Sequence, residues 1–256
     1  LASVATTASR AESGFRLDGA KSVVYGAPMS DGLFVTARTA GNLGDPRGIT
    51  VFHIDRNARG VSRRDYTTID GHRASEIVFE NVRVGRDAII GTEDEGLGLV
   101  ENVVDDGIAA LCAEAAGAIE VLLEKTVEYV RVRSAFGQTL SSFQAVQHRV
   151  VDMRVAVEYA DAMALMCARH IDSPPAQRAR ALSAAKATVC RDSRFVGQQA
   201  IQLHGAIAMT DDLDIGHYFR RLTAIGILFG DASHHTRRYW NAYRGTPAGM
   251  TATRSA

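Results

Sequence analysis

The chain has 256 residues, 46% of them hydrophobic, with 29 acidic side chains against 29 basic ones. That length makes one or two domains with a sizeable core, and a formal charge of zero excludes a general nucleic-acid or anionic-membrane binder, which needs surplus Lys and Arg. No apolar run reaches the roughly 18 residues of a membrane span, so a soluble, cytoplasmic protein is expected.

Of the 23 glycines, 11 lie within the first 91 residues, where β-branched and aromatic runs alternate with turn signals. Ser22–Tyr25, Leu33–Thr36, Ile49–Ile54 and Glu76–Phe79 read as strands, separated by punctuators such as Gly26-Ala27-Pro28 and Gly44-Asp45-Pro46. Short strands at this spacing predict an antiparallel sandwich or barrel over residues 1–95 rather than βαβ units.

From Gly96 the pattern turns helical, and residues 96–256 form the second expected domain. Leu99 to Val132 has no proline and repeats apolar residues every three or four positions. Between Ser141 and Ile171, the residues Phe143, Val146, Val150, Met153, Val157, Ala160 and Ala164 form one apolar stripe. Ser141 with Gln144 reads as a capping box at its start, and Pro174-Pro175 separates it from a helix over Ala176–Leu203. Shorter helices are predicted over Asp214–Phe229 and Ser233–Tyr243, and the tail from Thr246 is expected to fray. Long helices joined by short loops make an antiparallel four-helix bundle, so the fold class is α+β.

Cys112, Cys167 and Cys190 are far apart in these helices. They fit neither a disulfide framework nor a zinc site and read as buried thiols in a reducing compartment. The opening Leu1-Ala2-Ser3-Val4 has no initiator Met and reads like the interior of a domain, so a larger N-terminal part is expected to precede it.

Three segments are more specific. They are Ser75-Glu76-Ile77-Val78-Phe79-Glu80-Asn81-Val82-Arg83-Val84, the string Arg133-Ser134-Ala135-Phe136-Gly137-Gln138-Thr139-Leu140-Ser141-Ser142-Phe143-Gln144, and Gln202-Leu203-His204-Gly205-Ala206-Ile207-Ala208 running on to Arg220-Arg221. An Arg at a helix-to-helix corner offers a planar fork of donors. Phe136 supplies an apolar face, and Gly137 lets the backbone turn beside a ligand. Together the segments resemble the acyl-CoA dehydrogenase family, as its middle β-domain followed by its C-terminal helical domain. The family's N-terminal helical domain and the T-E-P segment leading into the β-domain have no counterpart here.

The resemblance implies an FAD flavoprotein acting on an acyl-CoA and passing electrons to a further acceptor. It implies that Arg133, Phe136, Gln138 and Gln144 reach across a dimer interface to the ADP half of a neighbour's FAD. Gln202, Gly205 and Ala206 would touch the same nucleotide half.

The departures from the family pattern are as specific. Relatives take the α-proton with a Glu just before a Gly after the second motif; counting from Arg220, that place holds Phe229, before Gly230. In a subset the Glu lies early in the first long helix; counting back from Arg133, that place holds Gly107, followed by Ile108 where an Arg is usual. Val23 and Tyr25 stand where the flavin-facing Trp and Thr are expected, and Gly205-Ala206-Ile207-Ala208 replaces Gly-Gly-x-Gly. The nearby carboxylates Asp231 and Asp106 are displaced by two residues and one residue, toward other faces of their elements.

His234-His235 lacks further ligands at suitable spacing, and Asp211-Asp212 with Asp214 reads as charge at a helix start, so no metal site is expected. His204 reads as structural. The pattern resembles the small, non-catalytic subunits of heteromeric actinobacterial acyl-CoA dehydrogenases. This implies an α2β2 heterotetramer with a catalytic partner, acting on a bulky CoA thioester such as a steroid side chain. A self-sufficient dehydrogenase or oxidase with a relocated Asp base, or a structural partner without FAD, are the alternatives.

Overall fold

The structure is a computed structural model describing residues 1–244, so the tail from Thr246 lies outside the described residues. The chain divides into two compact units, Leu1–Val103 and a second beginning at Val104.

The first unit is a seven-stranded sheet. Its strands are β1 (Thr7–Ala11), β2 (Gly14–Tyr25), β3 (Gly32–Arg38), β4 (Ile49–Asp55), β5 (Val61–Thr67), β6 (Arg73–Val84) and β7 (Ile89–Ile90). The order is β5-β6-β2-β1-β3-β4-β7, antiparallel throughout except where β1 meets β3. Phe15 on β2 and Phe52 on β4 meet edge to face with ring centroids 5.3 Å apart. In a flat sheet, strands three places apart would lie about 14 Å from one another. The sheet is therefore rolled around a core that also holds Leu17, Val35, Ile54, Ile77 and Phe79. Alternation drives this: Leu33, Val35 and Ala37 of β3 are buried while Phe34 between them is exposed.

All four strands expected from the sequence lie inside observed ones. The sequence gives less signal for β1 and β5, which alternate weakly and carry polar residues on both faces. β5 is an edge strand, where charges such as Arg63, Arg64 and Asp65 blunt pairing with other chains.

The second unit contains α1 (Gly96–Val132), the short strands β8 (Ser134–Ala135) and β9 (Gln138–Thr139), then α2 (Gln144–His170), α3 (Pro175–His204), α4 (Ile215–Ile225) and α5 (Ala232–Arg244). With 37 residues, α1 is about 55 Å long. Its Ile108, Cys112, Ile119 and Leu122 share one core with Met153, Val157 and Ala160 of α2 and with Leu182, Val189 and Val196 of α3. The stripe read along α2 is thus the buried face, though Val146 and Val150 near its start are only half-buried. Pro175 opens α3 at its first position, where a missing N–H costs nothing.

Two boundaries differ from expectation. The segment Ser141–Gln144 is not a capping box: Leu140–Ser142 is a 3-10 turn, and α2 starts only at Gln144 with no side-chain cap. The Ser142 hydroxyl donates instead to the Thr139 carbonyl at 2.6 Å. The fourth helix stops at Ile225 instead of Phe229, and Gly226 to Gly230 forms a turn whose Phe229 has φ 55°.

Candidate cofactor and active site

α1 ends at the string identified from sequence, and the corner is a small hairpin. β8 and β9 pair through a two-residue loop, Phe136 and Gly137, with φ of 54° and 82°. Two successive positive φ values are what a type I′ turn requires, which Gly adopts freely and Phe does not. Phe136 is 95% exposed at the tip, so it is not a core residue. The Arg133 side chain is exposed and has no hydrogen-bond or ion-pair partner among the described residues. It does not cap its helix through its side chain. Gln138 and Gln144 are exposed beside it.

The second motif comes to the same end of the helical unit. Tyr129, one turn before Arg133, stacks on His204 at 4.4 Å, and its hydroxyl donates to the His204 carbonyl at 3.2 Å. His204 is buried, bonded to the Ala200 carbonyl at 2.8 Å, and burial holds its pKa below the ordinary histidine value. It is structural. Gly205 follows with φ 71°, and Gln202, Gly205 and Ala206 are exposed next to a cleft of about 390 Å³ lined by Lys125, Tyr129, Val132 and Asp214. Asp214 pairs with Lys125 at 3.1 Å.

The two places expected for a base meet in space. A Cβ built on Gly107 would stand 2.5 Å from Cε2 of Phe229, closer than such atoms approach. The Phe229 ring therefore covers the Gly107 backbone, and a side chain at 107 and this ring exclude each other. Of the displaced carboxylates, Asp231 accepts from the His234 amide at 2.7 Å at the start of α5. That bond holds its carboxyl below the usual range, the wrong direction for a base. Asp106 is exposed on α1, about 100° around the helix from Gly107.

The sequence reading missed what fixes the Phe229 turn. Lys186 is fully buried and donates to the Ile225 carbonyl at 2.8 Å and the Gly230 carbonyl at 3.1 Å. Its signal in the sequence is a cation in register with the apolar stripe Leu182, Ala185 and Val189. His235 is fully buried, and its Nε2 donates to the Phe229 carbonyl at 3.0 Å. Burial pushes the His235 pKa down to about 4. The fold thus favours the neutral ring: its contribution is complete above about pH 6.5, the unfolded value, and is lost as pH falls toward 4. The urea midpoint should drop between pH 7 and pH 5, and His235→Asn should flatten that part of the profile.

In the first unit, β2 carries register shifts against β6 between Leu17 and Gly19 and between Lys21 and Val24. Val23, in the second of these, has φ 52°, an outlier for a β-branched residue. Its amide donates to Glu76 at 3.3 Å, and the Tyr66 hydroxyl donates to the same carboxylate at 3.0 Å. Tyr25 is half-buried beside His72, with ring centroids 6.2 Å apart.

Comparison with known proteins agrees with this architecture. Residues 94–239 match the family model of the acyl-CoA dehydrogenase C-terminal domain, and residues 1–82 match that of the middle domain. The chain belongs to the acyl-CoA dehydrogenase family. It is 29% identical to the 3-(aryl)acrylate reductase of Clostridium sporogenes over 89% of its own length and 60% of that relative's. A putative acyl-CoA dehydrogenase from Mycobacterium smegmatis superposes with a TM-score of 0.88 at 22% identity, covering 94% of this chain and 63% of that one. PigA, solved as an FAD complex, superposes with a TM-score of 0.85 at 24% identity over 93% of this chain and 62% of its own. The chain spans about 60% of the length of these proteins.

Proposed function

We propose that the chain is a subunit of an FAD-dependent acyl-CoA dehydrogenase, holding the ADP half of a partner's cofactor while its own active site has decayed. Residues 1–95 are then the middle β-domain and residues 96–256 the C-terminal helical domain. The single observation carrying this is the Phe229 ring seated on Gly107, which leaves neither expected base position with a group that can take a proton.

The donor set fits one end of the cofactor and not the other. The exposed guanidinium of Arg133, the exposed Phe136 ring and the exposed Gln202, Gly205 and Ala206 suit a diphosphate and its nucleoside. Val23 and Tyr25 offer no indole and no threonine hydroxyl for a flavin ring. FAD, when bound, supplies the hydride acceptor for the α,β-dehydrogenation of a CoA thioester. In this reading the thioester is a bulky one such as a steroid side chain, and electrons leave to a separate acceptor. The partner is a catalytic subunit in an α2β2 assembly in the cytoplasm. α2 favours such a partner, since it turns Val151, Val155 and Tyr159 outward at a spacing of four, a second apolar stripe opposite the buried one.

The test is Arg133→Ala in the co-expressed complex. A charge-assisted contact contributes about 1.5–3 kcal/mol, so FAD affinity should fall roughly ten- to a hundredfold. The unfolding midpoint of this subunit should stay put, because the guanidinium has no partner among the described residues of its own chain. Unchanged FAD affinity overturns the assignment, as does a yellow, active homotetramer of this chain alone.

A further inference from the structure

Behind the Phe229 turn lies a second cavity, of about 700 Å³, walled by Cys190, Ser193 and Arg194 of α3, by Phe219 of α4, by Gly226 and by Ser233 of α5. Its volume is that of a small-molecule site. Cys112 and Cys167 are buried, whereas Cys190 is half-buried on this wall. We infer that Cys190 is a covalent modification site, taking a small anionic disulfide and keeping one half of it as a mixed disulfide.

Three features of the wall point to this chemistry. The first is the surroundings of the sulfur, whose thiol donates to the Gly226 carbonyl at 3.7 Å. Lys186 spends two of its three donors on carbonyls and the third on Cys190 Sγ at 3.3 Å, and it has no carboxylate partner among the described residues. An ammonium beside a sulfur offsets the charge of the attacking thiolate. Next, the Ser193 hydroxyl, nearly one turn along α3, is buried without a hydrogen-bond partner among the described residues. A buried hydroxyl left unpaired is destabilising, and a polar group of an adduct would satisfy it. Last, Arg194 is exposed with no ion-pair partner among the described residues, so it is available to an anion. The one carboxylate on the wall, Asp231, is committed to the His234 amide.

The step balances without further reagents. Cys190 loses its thiol proton to solvent, and Sγ attacks one sulfur of the disulfide. The sulfur–sulfur bond of the reagent breaks, and its other half leaves as a thiolate that takes up a proton. Cys190 is oxidised to the mixed disulfide as half of the reagent is reduced to a thiol.

The experiment treats the protein as isolated with 5,5′-dithiobis(2-nitrobenzoate), which is anionic, and in parallel with neutral 4,4′-dithiodipyridine. One thiol per folded chain should react, mapped to Cys190 by peptide mass, and Cys190→Ser should remove it. Arg194→Gln should slow the anionic reagent about three- to fivefold and leave the neutral one unchanged. A folded chain with no reactive thiol, reaction at another cysteine, or Arg194→Gln slowing both reagents or neither overturns the inference. The readout is independent of FAD and of turnover, so its failure leaves the proposed function standing.

Discussion

Asp231→Asn and Asp106→Asn should each leave turnover of the assembled enzyme within a few-fold of wild type, while removing the partner's catalytic Glu should abolish it. General-base catalysis supplies about 10²–10⁴-fold and needs a group within hydrogen-bond reach of the proton. Asp231 is engaged at the start of α5, with its carboxyl held toward the charged form by the His234 amide. Asn caps a helix about as well as Asp, so the substitution keeps the fold while removing any base. Asp106 is exposed on another face of α1 from Gly107. A hundredfold loss in either variant with FAD still bound would mean a relocated base, and the chain would then be a dehydrogenase in its own right.

The helices were legible because their apolar spacing is the same quantity that packs them. Met153, Val157 and Ala160 repeat along α2 and are buried together. The polar strands β1 and β5 were not, since β1 buries only Ala8 and β5 lies at the sheet edge, so neither has much alternation to read. The end of α4 was hidden because Gly226-Ile227-Leu228-Phe229 continues an apolar run, whereas carbonyl capture by the buried Lys186 belongs to the tertiary structure. The hairpin after α1 escaped because Phe-Gly is not among the usual type I′ pairs. At the candidate site the residue types were readable and their relations were not. Nothing in the sequence brings Phe229 onto Gly107, two positions 122 apart that the fold places in contact. Asp105 and Asp106 differ only in register: Asp105 stands three and seven residues before the buried Ile108 and Cys112, and Asp106 does not.

Asp105→Ala should lower the unfolding free energy by about 3 kcal/mol, against less than about 0.5 kcal/mol for Asp106→Ala. Asp105 is 2% exposed and accepts from Arg178 of α3 at 3.0 Å and from Arg238 of α5 at 2.6 Å. One carboxylate thus ties three helices, and both arginines are largely withdrawn from water. Removing it strands two partly buried guanidinium groups without their shared anion, and that stranding, more than the lost attraction, sets the size of the effect. Asp105→Asn keeps the shape but not the charge and should fall between the two. Because the acid stands two residues before Gly107, its loss should also loosen the seat of the Phe229 ring. Urea unfolding of the three variants decides the matter. A loss below about 1 kcal/mol for Asp105→Ala would mean that solvent reaches both arginines and that the clamp contributes as little as a surface ion pair.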